Sequence, residues 1–318
     1  MKKTKAKNCK KTLLVIMIVT LIGLAGSIFW EKEAKILFVG DMMFDRHIRK
    51  MVYEKSGDYI FSCKNSKGIV LSDFLQGADL VVGNLEGPIT ENASVSMFSV
   101  PETPNNYTFT FPTNTANLLA KNNIKLVSLD NNHINNFGEK GVESTKKYLI
   151  EAGVDYFDKD SIYRTKIGGM KMSFISYNEF LSAQAGSGEN IEKTAEKIKE
   201  EKAAGRTVFV YAHWGDEYID PPWRVKNTAK IFAEAGADFI IGSHPHIVQS
   251  HEQFGDTDST SSPQAIVYYS LGNFIFDQYW NEEVSTGLAL EIKIKGDNVE
   301  IIEHPVSLLV DGRTCLNK

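Results

Sequence analysis

The chain has 318 residues, 42% of them hydrophobic and 24% charged; 35 basic and 40 acidic side chains give a formal net charge of −5. Its 24 Gly and 9 Pro follow no repeat, which excludes collagen-like, coiled-coil and disordered classes. Six lysines lie within the first eleven residues, and setting them aside leaves the remainder at −11, which argues against a nucleic-acid surface on the main body.

After the lysines, Leu13 to Trp30 runs eighteen residues without a charge. As a helix this stretch spans about 27 Å, close to the ~30 Å hydrocarbon core of a bilayer. Lysines before it and Glu31, Lys32 and Glu33 after it place the amino terminus in the cytoplasm. A cleavable signal peptide is the alternative, with small residues at Ala25-Gly26-Ser27, but the run exceeds the usual ~7–15 residues of a signal core. The expected organisation is a cytoplasmic basic tail at 1–12, a transmembrane signal anchor at 13–30 and one extracytoplasmic domain at 31–318. Beyond the anchor only Cys63 and Cys315 remain; an exported pair can form one disulfide, although the sequence does not establish that they meet.

From Lys35 onward short apolar runs alternate with helical patterns. Strands are predicted at Ile36–Val39, Leu80–Val82, Lys125–Leu129, Lys171–Ser176, Thr207–Ala212, Phe239–Ile241, Ala265–Tyr269, Leu288–Ile294 and Val299–Glu303. Helices are predicted at Ile69–Gln76, Asn114–Asn123 (after Thr113 as N-cap), Glu139–Ala152, Ile191–Ala204 and Trp223–Ala235, with Gly153 and Gly205 as stops. The alternation argues α/β layers. The last two strands, joined through Lys295-Gly296-Asp297-Asn298, read as a hairpin, and polar Glu91–Tyr107 reads as a long loop.

Nearly every predicted strand ends in a cluster of Gly, Asn, His or Asp: Gly40-Asp41, Gly83-Asn84-Leu85-Glu86, Asp130-Asn131-Asn132-His133, His213-Trp214-Gly215, Gly242-Ser243-His244-Pro245-His246 and Gly272-Asn273. In α/β folds ligands bind just beyond the carboxyl ends of the strands. Carboxylates, amide oxygens and neutral imidazoles suit Zn, Mn or Fe, and the absence of thiolates disfavours a structural zinc knuckle. Pro245 pushes His244 toward extended geometry, where residues i and i+2 share a side, so His244 and His246 can reach one ion or two adjacent ones. Glu86 could bridge a pair of ions, an arrangement suited to phosphoester hydrolysis. Taken singly each motif has a plainer reading: Gly-Asp as a turn, Asn-Asn-His as a helix cap, His213 beside Trp214 as a core pair. His47, His251 and His304 read as surface or packing residues.

In order, Gly40-Asp41-Met42-Met43-Phe44-Asp45-Arg46, Gly83 to Pro88, Asn131-Asn132-His133 with Phe137-Gly138, His213 to Tyr218, Gly242 to His246 with Gln249, and Tyr269 to Phe274 resemble the CapA family of capsule and poly-gamma-glutamate biosynthesis proteins. That family is a branch of the calcineurin-like metallophosphatase superfamily, and the resemblance covers roughly residues 35–305. It implies a four-layer α/β/β/α sandwich with one or two divalent ions, Mn, Fe or Zn, at the strand ends. By position it implies Asp41 and His246 on the first metal, Glu86 bridging, and Asn132, His213 and His244 on the second. His133, beside Asn132, would assist the leaving group. The departure is Met43, where the superfamily carries histidine; a thioether is a poor ligand for such a site. Asp45 or Arg46 would compensate, one by ligating and one by holding an anionic substrate, and Asn273 is a further candidate substrate contact.

These features support a membrane-anchored hydrolase or transferase acting on an anionic polymer or phosphoester. The alternatives are a non-catalytic, polymer-binding partner of a membrane capsule synthase and exporter, and a phosphoesterase unrelated to capsule. The near-complete ligand set favours the first.

Overall fold

The computed structural model describes residues 32–180, 187–255 and 265–317. The predicted tail and anchor at 1–30 lie outside the described residues. Among the described residues no helix is long and apolar enough to cross a membrane.

The chain is mixed α/β, with two sheets and, among the described residues, seven α-helices. The strands are β1 Ala34–Met42, β2 Leu80–Leu85, β3 Ile124–Ser128, β4 Asp155–Phe157, β5 Tyr163–Ile167, β6 Met170–Asn178, β7 Thr207–His213, β8 Phe239–Ser243, β9 His251–Phe254, β10 Ala265–Tyr268, β11 Asn273–Ile275, β12 Thr286–Lys295, β13 Asn298–Leu308 and β14 Thr314–Leu316. The helices are α1 Arg46–Lys55, α2 Gly57–Ile60, α3 Leu71–Gln76, α4 Thr115–Lys121, α5 Gly138–Ala152, α6 Ser187–Ala203 and α7 Trp223–Ala235. One sheet runs β14-β13-β12-β1-β2-β3-β4, with β11 alongside β1; the other runs β5-β6-β7-β8-β10-β9. β1 to β4 are mutually parallel, as are β6, β7, β8 and β10, while β12, β13 and β14 in the first sheet and β5 and β9 in the second run antiparallel to their neighbours.

Strand periodicity sorts the core. On β1, Leu37 and Val39 pack with Leu71, Leu119 and Leu149 of the helices, whereas Ile36 and Phe38 face the other sheet. On β7, Phe209 and Tyr211 face inward, while Val208 and Val210 meet Val225 and Phe232 of α7. Between the sheets Phe209 stacks on Phe174 at 4.9 Å and on Phe239 at 5.0 Å, with Phe38 at 5.4 Å. Each ring buried this way contributes about 1.5–3 kcal/mol.

The nine predicted strands and five predicted helices all occur, and the β12–β13 hairpin turns at Gly296-Asp297. Thr113 does not cap its helix: the cap position is Asn114, without a side-chain cap bond, because Thr115 N–H is met by the Pro112 carbonyl. Gly153 ends α5 in the left-handed region, as expected of a helix stop. Cys63 and Cys315 form a disulfide with Cα atoms 5.2 Å apart, closing a separation of 252 residues. It joins the α2–α3 connection to the last strand, and a native disulfide of this kind contributes about 2–4 kcal/mol.

Candidate metal centre

Parallel pairing aligns the strand ends. In register, Asp41 of β1 lies beside Asn84 of β2 and Asn273 of β11, Asn84 beside Ser128 of β3, and His213 of β7 beside Ser243 of β8. The polar clusters that follow these strands therefore converge from both sheets on one place. Asp41, Asn84, Glu86, His213, His244 and His246 are all buried there.

Asp41 is fixed on both oxygens. Asn84 Nδ2 donates to Oδ1 at 2.8 Å and the His244 backbone N–H donates to Oδ2 at 3.0 Å. Burial alone would raise its pKa, but the hydrogen bond and charge from His246, with His213 and Asn84, outweigh burial and hold it well below the usual carboxylate range. Glu86 goes the other way: burial, then the Asp41 charge, pushes its carboxyl well above the usual range. Two buried carboxylates this close cannot both be charged without a cation.

The histidines present nitrogens to the same space. Asn273 Nδ2 donates to the carbonyls of His246 and Val284 and to Gln278 Oε1, so Asn273 Oδ1 is the acceptor for His246 Nδ1–H at 2.9 Å. In the neutral ring His246 Nε2 is then an open lone pair, 3.7 Å from Glu86 Oε1. His244 Nδ1 and Glu86 Oε1 are buried without a hydrogen-bond partner. One ligand atom from each of Glu86, His244 and His246 falls within 4.8 Å of the others, so these three could hold a metal ion. Burial holds His244 down to about 3, and the neighbouring His246 adds to it; burial likewise keeps His213 well below the usual histidine range. Neutral imidazole is the form that ligates.

Asn132 and His213 form a second pair: His213 Nε2 and Asn132 Oδ1 are 3.0 Å apart, and His213 Nδ1 meets Ser243 Oγ at 3.0 Å. With a proton on Nε2 the pair is a hydrogen bond; without it, both atoms can donate to a cation. His133 stands at the edge, its Nε2 4.0 Å from Glu86 Oε1. The Phe109 N–H fixes Asn136 Oδ1 as an acceptor at 2.8 Å, and His133 Nδ1 lies 3.2 Å from that same oxygen, so Nδ1 carries the proton and Nε2 faces the site. Burial brings His133 down to about 4, against the pull of Asn136.

The geometry differs from the expectation in two places. His244 and His246 are not extended: their φ values are 97° and 59°, in the region L-residues rarely adopt. The tie from the His244 N–H to Asp41 holds the turn there, and the two rings are 5.9 Å apart. Asp45 does not face the centre. It caps α1 through Arg46 N and accepts from Thr110 N at 2.8 Å, so both oxygens serve the scaffold. Met43 is likewise core, its sulfur against Asp45 N. Arg46 ion-pairs with Asp277 and lies over the rings of Phe109 and Phe276. Asn84 and Asn131 emerge as organisers that the sequence reading passed over: Asn131 Nδ2 donates to Asn84 Oδ1 at 3.0 Å, fixing the amide that grips Asp41. Both stand within the strand-end motifs, Asn84 two residues before Glu86 and Asn131 next to Asn132.

Residues 35–278 match the family described as bacterial capsule synthesis protein PGA_cap. The chain belongs to that family. It is similar to a capsule biosynthesis protein CapA from Bacillus anthracis, 28% identical over 90% of this chain and 73% of its own length, and to a PGA biosynthesis protein CapA from Bacillus subtilis (strain 168), 26% identical over 90% and 78%. All six clusters fall within the PGA_cap match.

Proposed function

We propose that the chain is a metal-dependent hydrolase or transferase that cuts or transfers a phosphoester or amide linkage during synthesis or export of a capsule polymer such as poly-gamma-glutamate. In this reading the fold is a four-layer α/β/β/α sandwich of the metallophosphatase type, carried outside the membrane by an anchor at 13–30 with the amino terminus in the cytoplasm. It works beside the membrane subunits of a capsule synthase and exporter.

The observation that carries the reading is the pairing of buried, partnerless Glu86 Oε1 and His244 Nδ1 beside the open Nε2 of His246. Leaving such groups unsatisfied costs about 1–3 kcal/mol each, and a cation removes that cost. A carboxylate with two imidazoles fits Mn, Fe or Zn. Asn132 and His213 would complete a second position, and Asp41 steadies the His244 turn.

When bound, the ion supplies Lewis-acid polarisation of a phosphoryl or carbonyl oxygen. His133 Nε2, a neutral acceptor at the rim, takes a proton from the attacking group and returns it to the leaving group. Asn136 keeps that ring in one tautomer. His133→Ala is expected to lower phosphoesterase turnover by about 10²–10⁴-fold while the metal content stays unchanged. Undiminished turnover would remove the proton-transfer role.

A further inference from the structure

A cleft of about 240 Å³ opens between α1 and the 91–107 loop, lined by Arg46, His47 and Lys50 on one side, Ser99 and Asn106 on the other, and Asp277. Three observations mark it as a ligand site. Its charged lining is two cations against one carboxylate, in a chain whose balance beyond the first eleven residues is −11. Asp277 is already committed to Arg46 Nη2 and the His47 backbone N–H. Arg46 Nε and His47 Nε2 are buried with no hydrogen-bond partner, while the Lys50 ammonium has only a loose 3.9 Å contact with Glu54.

The cleft also has a fixed relation to the metal centre. The Arg46 guanidinium lies 5.1 Å from the Phe109 ring, which is 4.4 Å from the His133 ring. It lies 5.5 Å from the Phe276 ring, which is 4.9 Å from His246. One aromatic ring thus separates the cationic cleft from each of two residues of the centre. Arg46 holds this position from a left-handed backbone, φ 48°, an arrangement kept where surrounding contacts over-determine it.

We infer that this cleft is a subsite for an anionic oxygen group, a carboxylate or phosphate, on the substrate unit next to the one at the metal centre. The inference rests on the reading of the centre as the reaction site. Guanidinium N–H groups match carboxylate and phosphate oxygens, and Lys50 adds a point charge. The incoming oxygen meets the cationic wall made by Arg46 and Lys50, and the loop residues Ser99 and Asn106 form the opposite wall.

The test is isothermal titration of the full-length chain in detergent with inorganic phosphate and, separately, glutarate. Saturable binding of either anion is expected, and the one that binds more tightly names the group. Lys50→Glu, a half-exposed change on α1, and His47→Ala should each weaken it by about tenfold. His244→Ala should leave it in place, which separates this subsite from the metal centre. Binding that neither Lys50→Glu nor His47→Ala weakens, binding lost in His244→Ala, or no saturable binding of either anion would overturn the proposal.

Discussion

Purified full-length chain carrying His244→Ala is expected to hold less than about a tenth of the transition metal bound by the wild type. The substitution removes one of three converging donors and leaves Glu86 and His246, whose atoms lie 3.7 Å apart. The fold should survive, because the contact that sets the local turn is the His244 backbone N–H to Asp41 Oδ2, which alanine retains. Linkage provides a second readout. A ligand at about 100 times its Kd stabilises by about 2.7 kcal/mol, so a chelator should lower the wild-type Tm and leave that of the variant nearly unmoved. Equal metal in both proteins would contradict the assignment of these three side chains.

Gly242→Ala is expected to be among the most damaging single changes outside the ligand set. A Cβ at Gly242 would stand 1.8 Å from the Tyr269 carbonyl oxygen and 2.6 Å from Trp214 Nε1. Neither can yield, since Trp214 Nε1–H donates to that same carbonyl at 2.9 Å and the Gly242 carbonyl accepts from Leu271 N–H at 3.1 Å. Overpacking costs about 1–3 kcal/mol and occasionally more, and an approach of 1.8 Å to fixed backbone belongs at the upper end of that range. The change sits two residues before His244, so loss of Tm and loss of metal should come together. Gly205→Ala is the control: its φ is 69° but nothing lies within 4 Å, so only the left-handed penalty of about 1–2 kcal/mol applies. Thermal melts of the two variants decide it, and equal Tm values would contradict the packing argument.

The strands with strong apolar runs were legible from residues alone, since Ile36 to Val39 and Thr207 to Ala212 carry the near-continuous apolar run of strands buried on both faces. Short or polar elements were not. β11 is three residues inside a motif that reads as a loop, and its strand character comes from pairing with β1. α1 was hidden because its first residues read as part of the Asp41 motif, although Ile48, Met51 and Val52 are spaced as one helix face. Within the site, the ligand types were visible and their spacing suggested convergence. Their actual arrangement depends on register between distant strands and on left-handed turns at His244 and His246, which no local pattern encodes. Asp45 shows the same limit from the other side: a carboxylate four residues from Asp41 is suggestive in sequence, yet its oxygens are held by Arg46 N and Thr110 N.

A strand-end centre that performs chemistry on the polymer, as proposed, differs from a docking surface in its dependence on bound metal. The most direct measurement is polymer output in the producing cell with wild-type chain or His244→Ala at equal protein abundance. Output is expected to fall by about tenfold or more in the variant, tracking its loss of metal. Normal output from a metal-free variant present at wild-type levels would contradict it.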